Sequence, residues 1–289
     1  MENTFSINKE ILTKLLLTFS LIFTTSSLYA EVPDSLKNKW MPTFTIELGF
    51  NQVSFTNWVQ GGNNTISWTT KGDLQVNRIG SEWSYKNSIK ITYGRTKNSS
   101  AGFRTTDNDI YIENVLVREL GWAVSPFISN SIRTSVTTGY DYTVTPAVEK
   151  VDFFDPGYVT QTIGFTYDKY QNIVTRLGVG FQEIFTNNNR QYSDEENKVK
   201  VFKFETGIES VSDINYKFDD GITLKSKVRL FSRFQHLDVW DVLLNNSLTF
   251  HITKIFVVNL DYILIYQQSQ SLHLQTKEGL QLGIKYQFL

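Results

Sequence analysis

Four cations recur at a spacing of two late in the chain: Lys225, Lys227, Arg229 and, beyond Phe231, Arg233. That spacing puts them on one face of an extended strand, since successive side chains leave a pleated strand on opposite sides. A cationic row along the wall of a pore would favour anions, as rings of like charge do in channels. The preceding segment carries the opposite charge with matching parity, in Glu205, Glu209 and Asp213. A turn at Asp219-Asp220 would bring Asp213 opposite about Lys227 and set Glu209 diagonally near Arg229. The same charges would then serve equally as cross-strand ion pairs. Asp261 and Glu47 add further acids at inward positions. Selectivity and internal pairing stand level on this pattern.

Catalytic patterns are thin. A lipid-acting barrel enzyme needs a histidine and a serine close together on one strand face, as base and nucleophile. The histidines here are His236, His251 and His273, and none has a serine two residues away within its strand. Asp107 and Asp109 put two carboxylates on one face. They could join loop carbonyls around calcium, but a solvated loop pair is the plainer outcome. The absence of cysteine removes thiol catalysis, disulfides and thiolate metal sites, and no cofactor is expected. The segment holding Trp58, Gly61, Gly62 and Asn63 could form a rim that contacts a ligand or partner. The favoured reading is a turn, with glycine and asparagine supplying positive φ and the tryptophan anchored at an interface. No helix start follows its glycines, so it is not a phosphate cradle. The acidic run Asp194-Glu195-Glu196 reads as a polar loop.

The elements that must position these groups are strands. The last stretch, Thr276 to Leu289, places Leu280, Leu282, Ile284, Tyr286 and Phe288 on one face and Lys277, Gln281, Lys285 and Gln287 on the other. About twelve such alternating segments follow one another, over 43–55, 64–79, 82–97, 107–121, 124–142, 156–168, 171–186, 199–218, 221–235, 239–253, 256–268 and 276–289. Most are long enough for a tilted strand to cross a bilayer. Their connections alternate in length, tight after even-numbered strands and longer and polar after most odd-numbered ones. A sandwich has no reason to sort its loops by parity, whereas a transmembrane barrel keeps short turns at one end and long loops at the other. Closure also removes sheet edges and satisfies every backbone group where no water is present.

The N-terminal thirty residues read as a secretory signal: Lys9 and Lys14, an apolar run from Leu15 to Phe23, then cleavage after Ala30. The expected organisation is a signal peptide over 1–30, a short periplasmic segment over 31–42 and the barrel over 43–289. A net charge of -1 gives no basis for nucleic-acid binding.

Specific blocks of the first half also carry a resemblance. They are Phe50-Asn51-Gln52-Val53-Ser54, Asn57-Trp58, Gly61-Gly62-Asn63-Asn64, Tyr93-Gly94, Thr106-Asp107-Asn108-Asp109, Gly139-Tyr140-Asp141-Tyr142 and Phe153-Phe154-Asp155-Pro156-Gly157-Tyr158. Together they resemble a Bacteroidetes-type domain-of-unknown-function family, number 3078, of uncharacterised outer-membrane β-barrel-like proteins. The resemblance implies an envelope location and a barrel, and brings no known activity.

These readings lead to an all-β, transmembrane antiparallel barrel of about twelve strands in a bacterial outer membrane. The expected function is a narrow passive channel for small polar solutes. A structural or assembly module without transport is the alternative, and a lipid-acting enzyme the weaker one. Expected partners are outer-membrane lipid, the outer-membrane insertion machinery, which reads a terminal aromatic strand, and small polar solutes.

Overall fold

A computed structural model of the chain describes residues 37–55, 63–98, 102–170, 172–189 and 200–289. Fourteen strands account for most of them, and no helix occurs among the described residues. They are β1 (Trp40–Val53), β2 (Thr65–Ile79), β3 (Trp83–Asn98), β4 (Arg104–Arg118), β5 (Ser125–Thr134), β6 (Gly139–Asp141), β7 (Val148–Val151), β8 (Gly157–Tyr170), β9 (Ile173–Phe185), β10 (Phe202–Lys217), β11 (Ile222–Arg233), β12 (Asp241–His251), β13 (Phe256–Tyr266) and β14 (Gln275–Gln287). Twelve of these close into one antiparallel barrel in sequence order, β1 pairing with β14 to complete it. The other two, β6 and β7, form a separate hairpin.

Alternation decides which face each residue takes. On β13 and β14, Leu260, Leu280, Leu282 and Tyr286 lie exposed on the outside, while Asn259, Asp261, Lys277 and Gln281 turn inward. Aromatic rings collect outside the short-turn end, with Trp40 edge-on to Tyr85 and Phe44 stacked on Phe288. Further rings gather near the long-loop end, where Phe181 meets Phe204 and Phe185 meets Phe202. A soluble barrel packs apolar side chains inside; an apolar exterior between aromatic rims around a polar lumen is the membrane form.

The fifth barrel strand is shorter than its alternation suggests. Expected to run through residue 142, β5 ends at Thr134. Just beyond, the Asn108 side chain takes the backbone N–H groups of Val136 and Thr137 and donates to the Thr137 carbonyl. That amide replaces the ladder partner and turns the chain away, so Gly139–Asp141 pairs with Val148–Val151 instead. The first strand also begins at Trp40, before the barrel start expected at 43. The expected signal at 1–30 and most of the expected segment at 31–42 lie outside the described residues.

Candidate functional site

The tight turn after β10 makes its register with β11 local. Asp213 faces Lys227 and Glu209 faces Phe231, one position diagonal from Arg229. Both carboxylates reach their cations: Lys227 Nζ lies 3.2 Å from Asp213 Oδ1, and Arg229 Nε donates to Glu209 Oε1 at 2.6 Å. Arg233 sits between Glu205 (2.8 Å) and Asp241 of β12 (2.9 Å). Three of the four cations of the row therefore hold a carboxylate within 3.2 Å. Lys225 does not, since its only carboxylate within ion-pair range among the described residues is Asp73 of β2, at 4.0 Å.

Barrel closure adds partners that no hairpin supplies. Lys227 reaches from β11 to Glu113 of β4 at 2.7 Å, and Tyr111 beside it donates to the same carboxylate at 3.0 Å. Glu113 also accepts from Arg176 of β9 at 3.0 Å, and Arg176 in turn holds Asp213 at 2.8 Å. Strands β4 and β11 stand on nearly opposite walls, with β5, β8, β9 and β10 between them one way and β12, β13, β14, β1, β2 and β3 the other. The Lys227–Glu113 pair is thus a strut that divides the lumen into a smaller and a larger compartment.

The smaller compartment is filled. Gln182, Thr160 and Glu209 surround the Arg229 guanidinium, and Thr162 donates to Glu209. Phe231 is fully buried, its ring lying under the Arg229 guanidinium at 5.3 Å. Glycine at Gly180 leaves room for that ring, because an added Cβ would come within 3.1 Å of it. Two cavities of about 10 and 20 Å³ flank Tyr111 there, each of the order that one water needs.

The larger compartment is more open. Side-chain exposure is 50% at Lys225 and 44% at Lys277, against 6% at Arg176 and at Glu209. Asp109 is exposed on the inner wall of β4, and an added Cβ at inward-facing Gly279 would meet nothing within 4 Å. Its own pairs are Lys71 with Asp261 at 2.5 Å and with Glu47 at 3.9 Å, Lys277 with Asp107, and the loose Lys225–Asp73 contact. Lys90 of β3 faces the same space as the register partner of Asp73. At the long-loop end Arg133 of β5 donates to Gln267 at 2.8 Å and Gln270 to Tyr158 at 2.8 Å, so the β13–β14 loop is tied over the mouth.

Of the rim residues, Asn63 is exposed beside the start of β2, while Trp58, Gly61 and Gly62 lie outside the described residues, as does the acidic run 194–196. Asp107 is held by Lys277 and Thr69 rather than pooled with Asp109, and no cluster of three metal-ligating side chains occurs among the described residues. His251 meets the Thr223 hydroxyl at 3.4 Å. Glu113 and Arg176, the centre of the strut, were not singled out by spacing. The signal was present for Glu113, since Asp109, Tyr111 and Glu113 share parity on one strand. Arg176 stands alone among apolar neighbours, with nothing local to name its partners.

Three solved structures are similar in layout. The translocator domain of the autotransporter NalP from Neisseria meningitidis is 8% identical, with 96% of this chain and 95% of that one covered at a TM-score of 0.37. An outer-membrane channel from Pseudomonas putida F1 is 11% identical, with 91% and 98% covered at 0.39. The NanC porin is 10% identical, with 84% and 98% covered at 0.39. A sequence comparison with curated proteins finds no match. Residues 50–140, from β1 to β6, match the model of a domain family described as a protein of unknown function, DUF3078.

Proposed function

We propose that this chain is an outer-membrane barrel that passes small polar solutes through the larger compartment of its lumen. The observation that carries this reading is the unequal filling on the two sides of the Lys227–Glu113 strut. Placement in a membrane is supported by the apolar exterior, whose contiguous exposed area needs lipid to cover it. The outer membrane is the bilayer in which closed barrels with short turns at one end stand, and the signal read at 1–30 fits export.

Lys225 and Asp73 approach one another across the passage from opposite walls. With Lys225 half exposed and the two groups 4.0 Å apart, that pair is worth little and parts at low cost. Lys71, Lys90, Lys225 and Lys277 line the compartment with Asp73, Asp109 and Asp261. A wall carrying both signs sets up a transverse field and suits small dipolar or zwitterionic solutes more than ions of one sign.

Reconstitution of the purified protein in a planar bilayer tests this. The expected result is unitary conductance steps that disappear on heat unfolding. Silence from a folded barrel that still migrates anomalously without heating would overturn the channel. The closed structural or assembly barrel would then be the better account, with the Lys227–Glu113 strut holding its lumen shut.

A further inference from the structure

Two cations face outward together at the long-loop end of the barrel. Residues paired in register share a face, so Phe50, Trp68 and Arg95 form one row across β1, β2 and β3, and Ile66 and Lys97 belong to the next. Phe50 and Ile66 are exposed and Trp68 meets Tyr93 edge-on, so both rows lie on the outer surface, at its aromatic band and just beyond. The neighbouring strand supplies a ring within their reach. The pairing of β4 with β3 shifts at Gly94/Arg95: Gly94 faces Asp107 and Arg95 faces Thr105, which leaves Thr106 as an extra residue. That bulge reverses the parity of what lies beyond it. Phe103 would otherwise share the inward face of Asp107. Instead it turns outward, with the Arg95 guanidinium 5.4 Å and Lys97 Nζ 5.8 Å from its ring centroid.

Neither cation has a counter-ion among the described residues, and the connecting residues 99–101 carry no acid in sequence. The outward acids of that end, Glu183 of β9 and Glu278 of β14, stand at least three strands away, roughly 14 Å or more at the usual strand spacing. Arg95 Nη2 donates to the Phe103 carbonyl at 2.8 Å, and Arg95 Nε is covered without a partner. The ring orients the two charges but does not neutralise them. Among the described residues the other barrel strands place no lysine or arginine outward at this end. At the short-turn end outward cations stand singly, Arg118 over Trp83 and Arg78 against the Asn38 carbonyl. A fork of guanidinium donors beside an ammonium matches a phosphate, and the aromatic band marks the depth at which lipid headgroups lie. We propose that Arg95 and Lys97 bind the phosphate headgroup of an anionic lipid in the leaflet facing the long loops. Its acyl chains would lie along exposed Ile91, on the same strand face. The inference rests on the membrane placement proposed above, not on whether the lumen conducts.

The test places the full chain in nanodiscs of phosphatidylcholine with a minor share of phosphatidic acid, a lipid whose headgroup is a bare phosphate. Native mass measurement then counts the lipids that each barrel retains. The wild-type barrel is expected to retain phosphatidic acid in preference to phosphatidylcholine. Arg95→Gln with Lys97→Gln should lower that retention about ten- to thirtyfold, the order that two interfacial cations supply. Arg118→Gln, which removes a single outward cation at the other end, should leave it unchanged. Millimolar inorganic phosphate should not displace the lipid, since a free anion lacks the acyl chains. Heat-modifiable migration of the same samples checks that each barrel is folded. No preference in the folded wild type, retention that survives the double substitution, or an equal loss with Arg118→Gln overturns the proposal. Displacement by inorganic phosphate also overturns it, and assigns the pair to a soluble anion. A folded chain that does not enter the nanodisc overturns the membrane placement itself, and the lipid site with it.

Discussion

The two sides of one lumen use the same residue types to opposite ends. On the β5, β8, β9 and β10 side, Arg176, Glu113, Glu209 and Arg229 are almost wholly covered and bonded to one another at 2.6 to 3.0 Å. On the far side Lys225, Lys277 and Asp109 are more accessible; Lys277 is paired with Asp107 and Lys71 with Asp261 at 2.5 Å, while Lys225 and Asp73 stand 4.0 Å apart. Lys227 and Lys225 are neighbours on one strand face. They differ in that Lys227 reaches Glu113 and Tyr111, whereas Lys225 points toward the more open half. Burial decides the outcome: a covered ion must be bonded or neutralised, while an exposed one is screened and free to move. Charge therefore serves as mortar in one half and as lining in the other.

The sharpest way to break this division is to remove the acid at its centre. Glu113→Leu leaves Arg176 and Lys227 sharing Asp213 alone in a covered site. Removing one member of a buried ion network costs about 3–5 kcal/mol, because the remaining charge stays desolvated. The urea midpoint of unfolding in detergent or lipid should fall accordingly. An unchanged midpoint would mean that water already reaches the strut, and the two halves would not differ as described.

Much of this arrangement could be read from spacing, for identifiable reasons. The strand layout follows from alternation, and the facing of Asp213 with Lys227 follows from one tight turn, which makes that register local. Glu113 to Lys227 is different in kind. It joins residues more than a hundred positions apart across the lumen, a contact set by closure and stagger rather than by any neighbouring residue. The early end of β5 was hidden for a related reason. Asn108 lies between Asp107 and Asp109 in sequence, and its role as a stand-in for a ladder partner needs the neighbouring strand in place.

A paired substitution at two glycines sharpens the contrast between the halves. An added side chain at Gly180 meets Phe231 and the Glu209 Cβ at 3.1 and 3.3 Å, so Gly180→Leu overpacks a filled space. Destabilisation of about 1–3 kcal/mol is expected, with unit conductance of the folded fraction unchanged. Gly279 has no neighbour within 4 Å of that position and faces the larger compartment, so Gly279→Trp should fold normally and lower unit conductance several-fold. Reversal of the two results would place the passage on the other side of the strut.

The smallest expected effect is electrical and concerns Lys225. Its side chain is half exposed and its nearest carboxylate is 4.0 Å away, so stability should hardly respond to Lys225→Glu, by less than about 1 kcal/mol. The field between Lys225 and Asp73 should respond. The change replaces a cation with an anion opposite Asp73, which leaves two carboxylates facing one another where solutes must pass. In a salt gradient the reversal potential should shift toward that of the cation, the direction a ring of acids imposes. Lys227→Glu would confound this reading, because that residue also holds the strut and its loss would disturb folding. A reversal potential unmoved by Lys225→Glu, with conductance intact, would mean that ions pass away from the Lys225–Asp73 contact. The exposed charges would then be solvated wall, as inert to permeation as the buried ones.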